Sequence, residues 1–280
     1  MVKHVIPKTL AEALACLDEG TFKVIAGGTD LMVQKRSPAG LAPNFTSDMI
    51  YVANLAELKR VYEDEDGIHI GAAVTLEALL EHELTPNVLK TIIGQIAAPG
   101  IRHMGTLAGN IANASPAGDT LVGLYVLDAM IKLERINGHR LVPIQAFIVG
   151  VRRTISEPRE MITEIIIPKP KFSHTYYQKV GGRQADAISK VSFLGVAEIE
   201  NDIVVDLRLA FGAVAPTVIR SSDFEKTLKN ISVAELKADL PRIIEHYRSI
   251  IHPIDDQRSS AGYRNEVAVN LLRDMIEKIG

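Results

Sequence analysis

Apolar and polar residues follow two periods along this chain, and the switches between them mark its predicted elements. Thr9-Leu10-Ala11-Glu12 has the form of a capping box, and a helical pattern follows over Leu10 to Leu17. Phe22 to Ala26 reads as a short buried strand broken by Gly27-Gly28, with Thr29-Asp30 placed to cap a helical stretch from Leu31 to Lys35. After a loop from Ser37 to Ser47, Ile50 to Ala53 reads as a strand. Leu58 to Tyr62 and Gly67 to Ala72 then read as a hairpin turned through the solvated acidic run Glu63-Asp64-Glu65-Asp66. Thr75 is expected to cap a helix through Glu81, and a further helix is expected from Pro86 to Ile96 or Ala97, ended by Pro99-Gly100.

Pro99 to Asp119 reads as a long polar loop, and apolar Thr120 to Leu127 as a buried helix. Met130 to Ile136 and Arg140 to Val142 form a hairpin around Asn137-Gly138, a strong turn dipeptide. A strand from Met161 to Ile167 ends at Pro168-Lys169-Pro170, where the domain boundary is placed. Phe172 to Val180, Val191 to Glu198 and Ile203 to Val214 suggest a three-stranded antiparallel sheet, and amphipathic helices over Val233 to Tyr247 and Ser260 to Ile279 close the chain.

Composition narrows the function. With 280 residues there is room for two domains, and 31 Lys+Arg against 34 Asp+Glu leave a near-neutral chain unsuited to nucleic acid. Aromatic content of 5% with no Trp provides no stacking platform for single strands. A single cysteine, Cys16, forms no intrachain disulfide and holds no iron–sulfur cluster, and it reads as a small core residue. The N-terminal stretch has no apolar signal region and no 18-residue uncharged apolar run occurs, so the chain is expected to be soluble and cytoplasmic, without a membrane span.

The candidate chemistry lies in two glycine-rich segments. Pro99 to Asp119 holds four of the 20 glycines, and its polar groups come from Thr106, Asn110, Asn113, Ser115 and Asp119. Such a loop exposes backbone N–H groups and suits a phosphate ligand, although a polar surface loop has the same composition. The strand, Gly27-Gly28 turn and helix start from Phe22 to Lys35 have the same logic. Neither segment is a Gly-x-Gly-x-x-Gly fingerprint or a Gly-Lys-Ser/Thr P-loop.

Together the motifs carry a likeness. Val24-Ile25-Ala26-Gly27-Gly28-Thr29-Asp30-Leu31, then Ile101 to Asn110, then Ala114-Ser115-Pro116-Ala117-Gly118-Asp119, resemble the FAD-binding medium subunit of molybdenum hydroxylases of the xanthine dehydrogenase and carbon monoxide dehydrogenase type. Glu164 to Pro168, Lys179 with Arg183, and Arg258-Ser259-Ser260-Ala261-Gly262-Tyr263-Arg264 extend the resemblance over nearly the whole chain. It implies an α+β flavoprotein of the vanillyl-alcohol-oxidase or PCMH type. Residues 1–170 would bind FAD through subdomains of about 1–55 and 56–170, and residues 171–280 would form a smaller C-terminal domain.

The resemblance also implies cofactor contacts. Val24, Ile25, Ala26, Gly27, Gly28, Thr29, Asp30 and Leu31 would form the first pyrophosphate loop, and Thr106, Leu107, Ala108, Gly109 and Asn110 the second. A carboxylate at Asp30 would repel phosphate, so Asp30 is expected to cap the next helix and hold the loop's shape. Asp119 would meet a flavin or ribityl hydroxyl, Lys179 would stabilise negative charge near the ring, and Ile96 and Ile162 would be apolar contacts. Ala108 stands where relatives often have glycine, Ile96 where some have an aromatic, and Gly181-Gly182 precedes Arg183 in a loop expected to be mobile.

In the implied scheme a molybdenum-cofactor subunit hydroxylates the substrate. An iron–sulfur subunit relays electrons singly to FAD on this chain, and a pair passes to an acceptor such as NAD. No catalytic side chain and no metal ligand are expected here. A self-contained flavin oxidoreductase of the same fold and a non-catalytic assembly protein are the alternatives.

Overall fold

The computed structural model describes residues 2–169 and 171–279, so Pro170 of the boundary tripeptide lies outside the described residues. The chain divides into two compact units. One holds the residues up to Thr85 with Ala97–Ala114 and Asp128–Pro168; the other holds Pro86–Ile96, Ser115–Leu127 and the chain from Lys169 on. The second unit thus takes two segments from the N-terminal half, which no composition shift in the sequence marks.

In the first unit, strand Asp48–Tyr51 lies between His4–Val5 and Phe22–Ile25, with both pairings parallel. The crossover helix Leu10–Glu19 is capped by Thr9, whose hydroxyl accepts the Glu12 N–H, and it buries Ala13, Leu14 and Leu17 with Ile50, Val52 and Leu55. Partly buried Cys16 packs against the same cluster. A second sheet is antiparallel, in the order Val61–Glu63, Ile68–Gly71, Met161–Ile167, Met130–Arg135, Gly138–Pro143. The residues before Val61 form a 3-10 turn, Ala56–Lys59, rather than the start of the hairpin strand.

The second unit is built on the antiparallel strands His174–Val180, Val191–Glu200 and Ile203–Gly212, to which the sheet adds a two-residue fourth strand, Ile219–Arg220. Phe193, Phe211, Leu236, Ile243, Tyr247, Leu272 and Ile276 share its core. Helix Asp119–Val126 is buried at every residue, as its apolar sequence predicts. Its C-terminal carbonyls are met by cations: Arg208 Nη1 donates to Val126 O at 2.8 Å and Arg220 Nη1 donates to Tyr125 O.

Three expectations need correction. The helix read over Val233 to Tyr247 is two, Val233–Ala238 and Leu240–Ile250, because Pro241 has no N–H to continue the first and fits the first turn of the second. Helix Asn87–Gly94 stops before Ile96, and Ala97 adopts a left-handed φ of 44°. Pro99 to Asp119 is not an open loop: it contains helices Pro99–Arg102 and Leu107–Asn113.

The acidic run also does more than turn. Buried His69 places Nδ1 3.0 Å from Glu164 Oε2 and Nε2 2.8 Å from Asp64 Oδ1, and Tyr62 stacks on its ring while donating to Glu164. Burial of the ring opposes its charge, but the two carboxylates outweigh it and raise the His69 pKa above 6.5. A raised native pKa means stabilisation fully present below the ordinary value and lost as pH rises through the native one. The advantage of the wild type over His69→Gln in thermal midpoint should therefore be larger at about pH 5.5 than at about pH 9. Equal advantages at both pH values would show that the ring is not held charged.

Candidate functional site

The two glycine-rich segments meet within the first unit. Strand Phe22–Ile25 delivers the chain into Gly27 and Gly28, the latter at φ 68°, where glycine carries no steric cost. A Cβ on Gly27 would lie 1.8 Å from the Met104 carbonyl oxygen, so the first loop rests directly on the backbone of the second. Thr29 Oγ1 would be 3.4 Å from a Cβ on Gly105. The second loop is fixed from the other side by the Leu76 N–H, which donates to Gly105 O at 2.8 Å. Arg102 adds a brace, donating to Glu77 Oε2 at 2.7 Å and to Ala97 O at 3.0 Å.

Among the described residues, the N–H groups of Gly27, Gly28, Thr29 and Asp30 have no acceptor in the chain. Four adjacent unpaired donors beside a positive-φ glycine suit an anion. Behind Met104 and Gly105, Thr106 caps helix Leu107–Asn113, its Oγ1 accepting the Gly109 N–H at 3.0 Å. Leu107 and Ala108 point into the core at 0% and 5% exposure, whereas Gly109 is exposed. The methyl of Ala108 is therefore absorbed by packing, and it does not limit approach to the helix.

Asp30 does not cap the next helix, contrary to expectation: its φ and ψ are already helical and its side chain makes no cap hydrogen bond. The carboxylate instead accepts from Gln34 Nε2 and lies 3.5 Å from Arg152 Nη1. Arg152 and Gln34 both donate to Asn113 Oδ1, at 3.2 and 3.3 Å. Asp30 thereby ties the first loop to the far end of the helix that follows the second. Arg152 lies outside every motif, and nothing in its local sequence marks this contact.

The other implied contacts fall elsewhere. Ile162 is a core residue of the five-stranded sheet at 9% exposure, beside an irregular step in its strand pairing. Val24 and Ala26 pack against the core of the three-stranded sheet, and Leu31 starts helix Leu31–Gln34. In the second unit, half-buried Ile96 follows helix Asn87–Gly94.

Asp119 and Lys179 come together inside the second unit, Nζ to Oδ2 at 2.7 Å, with each side chain 8% exposed. Ser189 donates to Asp119 Oδ1, and Lys179 also donates to Gln95 O at 2.9 Å. Burial raises the Asp119 carboxyl pKa, opposed by the Lys179 charge and the two hydrogen bonds. On the same face of the strand as Lys179, the Tyr177 hydroxyl is buried without a partner, and so is that of Ser192, opposite Lys179. Orphaned buried hydroxyls are costly, so both fit a site that takes a polar ligand. Ser189, Tyr177 and Ser192 carry no mark in their local sequence. Among the described residues no group of three His, Cys, Asp or Glu side chains could hold a metal ion, and no helix is long and apolar enough to cross a membrane.

The unpaired backbone donors of the first loop, on an α+β scaffold, suit an anionic ligand. Comparison with known proteins gives the chain's class: residues 1–170 match the FAD binding domain in molybdopterin dehydrogenase, and residues 176–279 match the CO dehydrogenase flavoprotein C-terminal domain. The chain belongs to this family, the FAD-binding medium subunits of molybdenum hydroxylases, and is an FAD-dependent oxidoreductase subunit. It is 30% identical to the xanthine dehydrogenase FAD-binding subunit of Escherichia coli O157:H7, over 97% of this chain and 92% of that one. The glyceraldehyde dehydrogenase medium chain of Sulfolobus acidocaldarius is also 30% identical, over 99% and 97% of the two chains. A crystal structure of Cu,Mo-CO dehydrogenase in its cyanide-inactivated form superposes with a TM-score of 0.88 at 26% identity, covering 99% of this chain and 96% of that one.

The loop contact makes a direct prediction. Gly27→Ala should force the two backbones apart and destabilise the chain by about 2 kcal/mol or more, as overpacking does. Gly28→Ala should cost about 1 kcal/mol from its positive φ. Gly100→Ala, with nothing within 4 Å of the added methyl, should be nearly neutral. Denaturant unfolding of the three variants checks the order, and a Gly27→Ala midpoint equal to that of Gly100→Ala would refute the contact.

Proposed function

We propose that this chain is the flavin-carrying electron-transfer subunit of a molybdenum hydroxylase. It would take electrons from an iron–sulfur subunit that serves a molybdenum-cofactor subunit, and pass them to an acceptor such as NAD. The observation that carries the reading is the run of unpaired N–H groups over Gly27–Asp30, laid against the backbone of the second glycine loop. The relatives support it, being described as an FAD-binding subunit and a medium chain of dehydrogenases. The single cysteine of the sequence also leaves iron–sulfur clusters to other chains.

In this reading, Val24 to Leu31 together with Thr106, Leu107, Ala108, Gly109 and Asn110 hold the FAD pyrophosphate. Backbone donors from the first loop and the exposed face at Gly109 supply the contacts, while Asp30 works at one remove by tying Gln34, Asn113 and Arg152 together. Ile162 and Ile96 are apolar supports. Asp119 and Lys179 serve the flavin end as a nearly neutral pair, so that neither charge acts there uncompensated. Bound FAD supplies the redox chemistry, storing two electrons that can be taken up singly. The residues of this chain bind it and orient it, and none acts as nucleophile or general base.

Gly109 gives the test. It is exposed, and the protein atom nearest to a Cβ added there is Thr106 Oγ1, at 3.0 Å. Gly109→Val should weaken FAD binding by roughly ten-fold or more, about 1.4 kcal/mol per decade, with little change in the thermal midpoint of the FAD-free chain. Flavin fluorescence titration reads the affinity, and an unchanged dissociation constant would reject the second loop as a pyrophosphate contact.

A further inference from the structure

The motif Arg258 to Arg264 carries part of the family likeness, yet none of its residues belongs to the proposed cofactor contacts. Its geometry assigns it a task within the second unit. Arg264, in the first turn of helix Ala261–Lys278, is 5% exposed, and its guanidinium is divided among three acceptors. Nε donates to Ser259 Oγ at 2.8 Å, Nη2 to Asp256 Oδ1 at 2.7 Å, and Nη1 to the Ala213 carbonyl at 3.2 Å. Asp256 is held in turn by the N–H groups of Arg258 and Ser259, at 2.8 and 3.2 Å. The motif is therefore a rigid frame that presents one guanidinium N–H to a backbone carbonyl.

That carbonyl belongs to a residue under constraint. Ala213, directly after strand Ile203–Gly212, adopts φ 62°, a left-handed conformation that an L-residue holds only when its surroundings impose it. Its N–H donates to Pro116 O at 2.8 Å. Pro116 lies in the turn closed by the Gly118 N–H to Ser115 O at 2.9 Å, and this turn ends at Asp119, the first residue of helix Asp119–Val126. The chain of contacts runs from Arg264 through the Ala213 peptide to Pro116, three residues before Asp119.

We infer that Arg264 is a positioning residue for the Asp119–Lys179 pair. By pinning Ala213 it fixes the Ser115–Gly118 turn and so the place of the Asp119 carboxylate. The inference rests on the reading that Asp119 serves the flavin, and it goes beyond that reading by giving the C-terminal motif a part in cofactor binding.

The test is a double-mutant cycle on the full chain, with FAD as the probe and affinity and visible circular dichroism of the bound flavin as readouts. Arg264→Met should weaken FAD binding about ten-fold and alter the flavin dichroism, Arg264→Lys should restore part of both, and Asp119→Asn should have an effect of similar kind. Asp119→Asn/Arg264→Met should bind no worse than Asp119→Asn alone. If Arg264→Met does not fold, Arg264→Lys and Asp256→Asn complete the cycle in its place. A loss in Asp119→Asn with none in the Arg264 variants, or full additivity, overturns the relay while leaving the role of Asp119 intact. No loss in Asp119→Asn overturns that role, and the relay with it.

Discussion

The contact on which the first unit depends is between two pieces of backbone. Gly27 sits so close to the Met104 carbonyl that no side chain can stand there, and this fixes the glycine turn after strand Phe22–Ile25 against the entry to helix Leu107–Asn113. Neither loop could hold its shape alone. Each is short, and the first leaves four consecutive N–H groups unsatisfied, a cost that surrounding structure must bear. The supports are visible: Leu76 and Arg102 steady the second loop, and Asp30, Gln34, Asn113 and Arg152 tie the first loop to the end of the helix. Preorganised donors of this kind bind an anion without first being ordered, so the ordering entropy is met in folding rather than in binding.

The second unit solves a different problem, the burial of charge. Asp119 and Lys179 are both almost fully enclosed, and an isolated charge there would be costly, so they compensate one another with help from Ser189 and the Gln95 carbonyl. The same economy recurs where Arg208 and Arg220 meet the last carbonyls of helix Asp119–Val126, and where Arg264 meets Asp256 and Ala213. Charges in this unit are used to fix backbone segments, and helix Asp119–Val126 is held at both ends as a result.

Local chemistry was legible wherever it depended on near neighbours in sequence. The capping residues Thr9 and Thr75, the Asn137-Gly138 hairpin and the strand Met161–Ile167 all follow from patterns a few residues long. The buried helix after Asp119 was readable too, because apolar residues leave it no exposed face. What escaped was set by partners far apart in sequence. Asp30 looks like a cap residue, but the backbone at Asp30 is already helical, and its carboxylate is drawn to Gln34 and Arg152. Ser189 and Tyr177 carry no local mark, since their meaning comes only from the burial of Asp119 nearby. The break at Asp239 was missed for a different reason: Pro241 permits a helix to begin as readily as it forbids one to continue.

In the proposed function, the backbone N–H groups of Gly27, Gly28, Thr29 and Asp30 receive the FAD pyrophosphate. Amide 15N–1H spectra of the labelled chain, recorded as FAD is added, test it most directly. These four resonances should shift strongly and together, with that of Gly138, in the hairpin turn after strand Met130–Arg135, unmoved. Saturating FAD with the four amides in their original positions would contradict it.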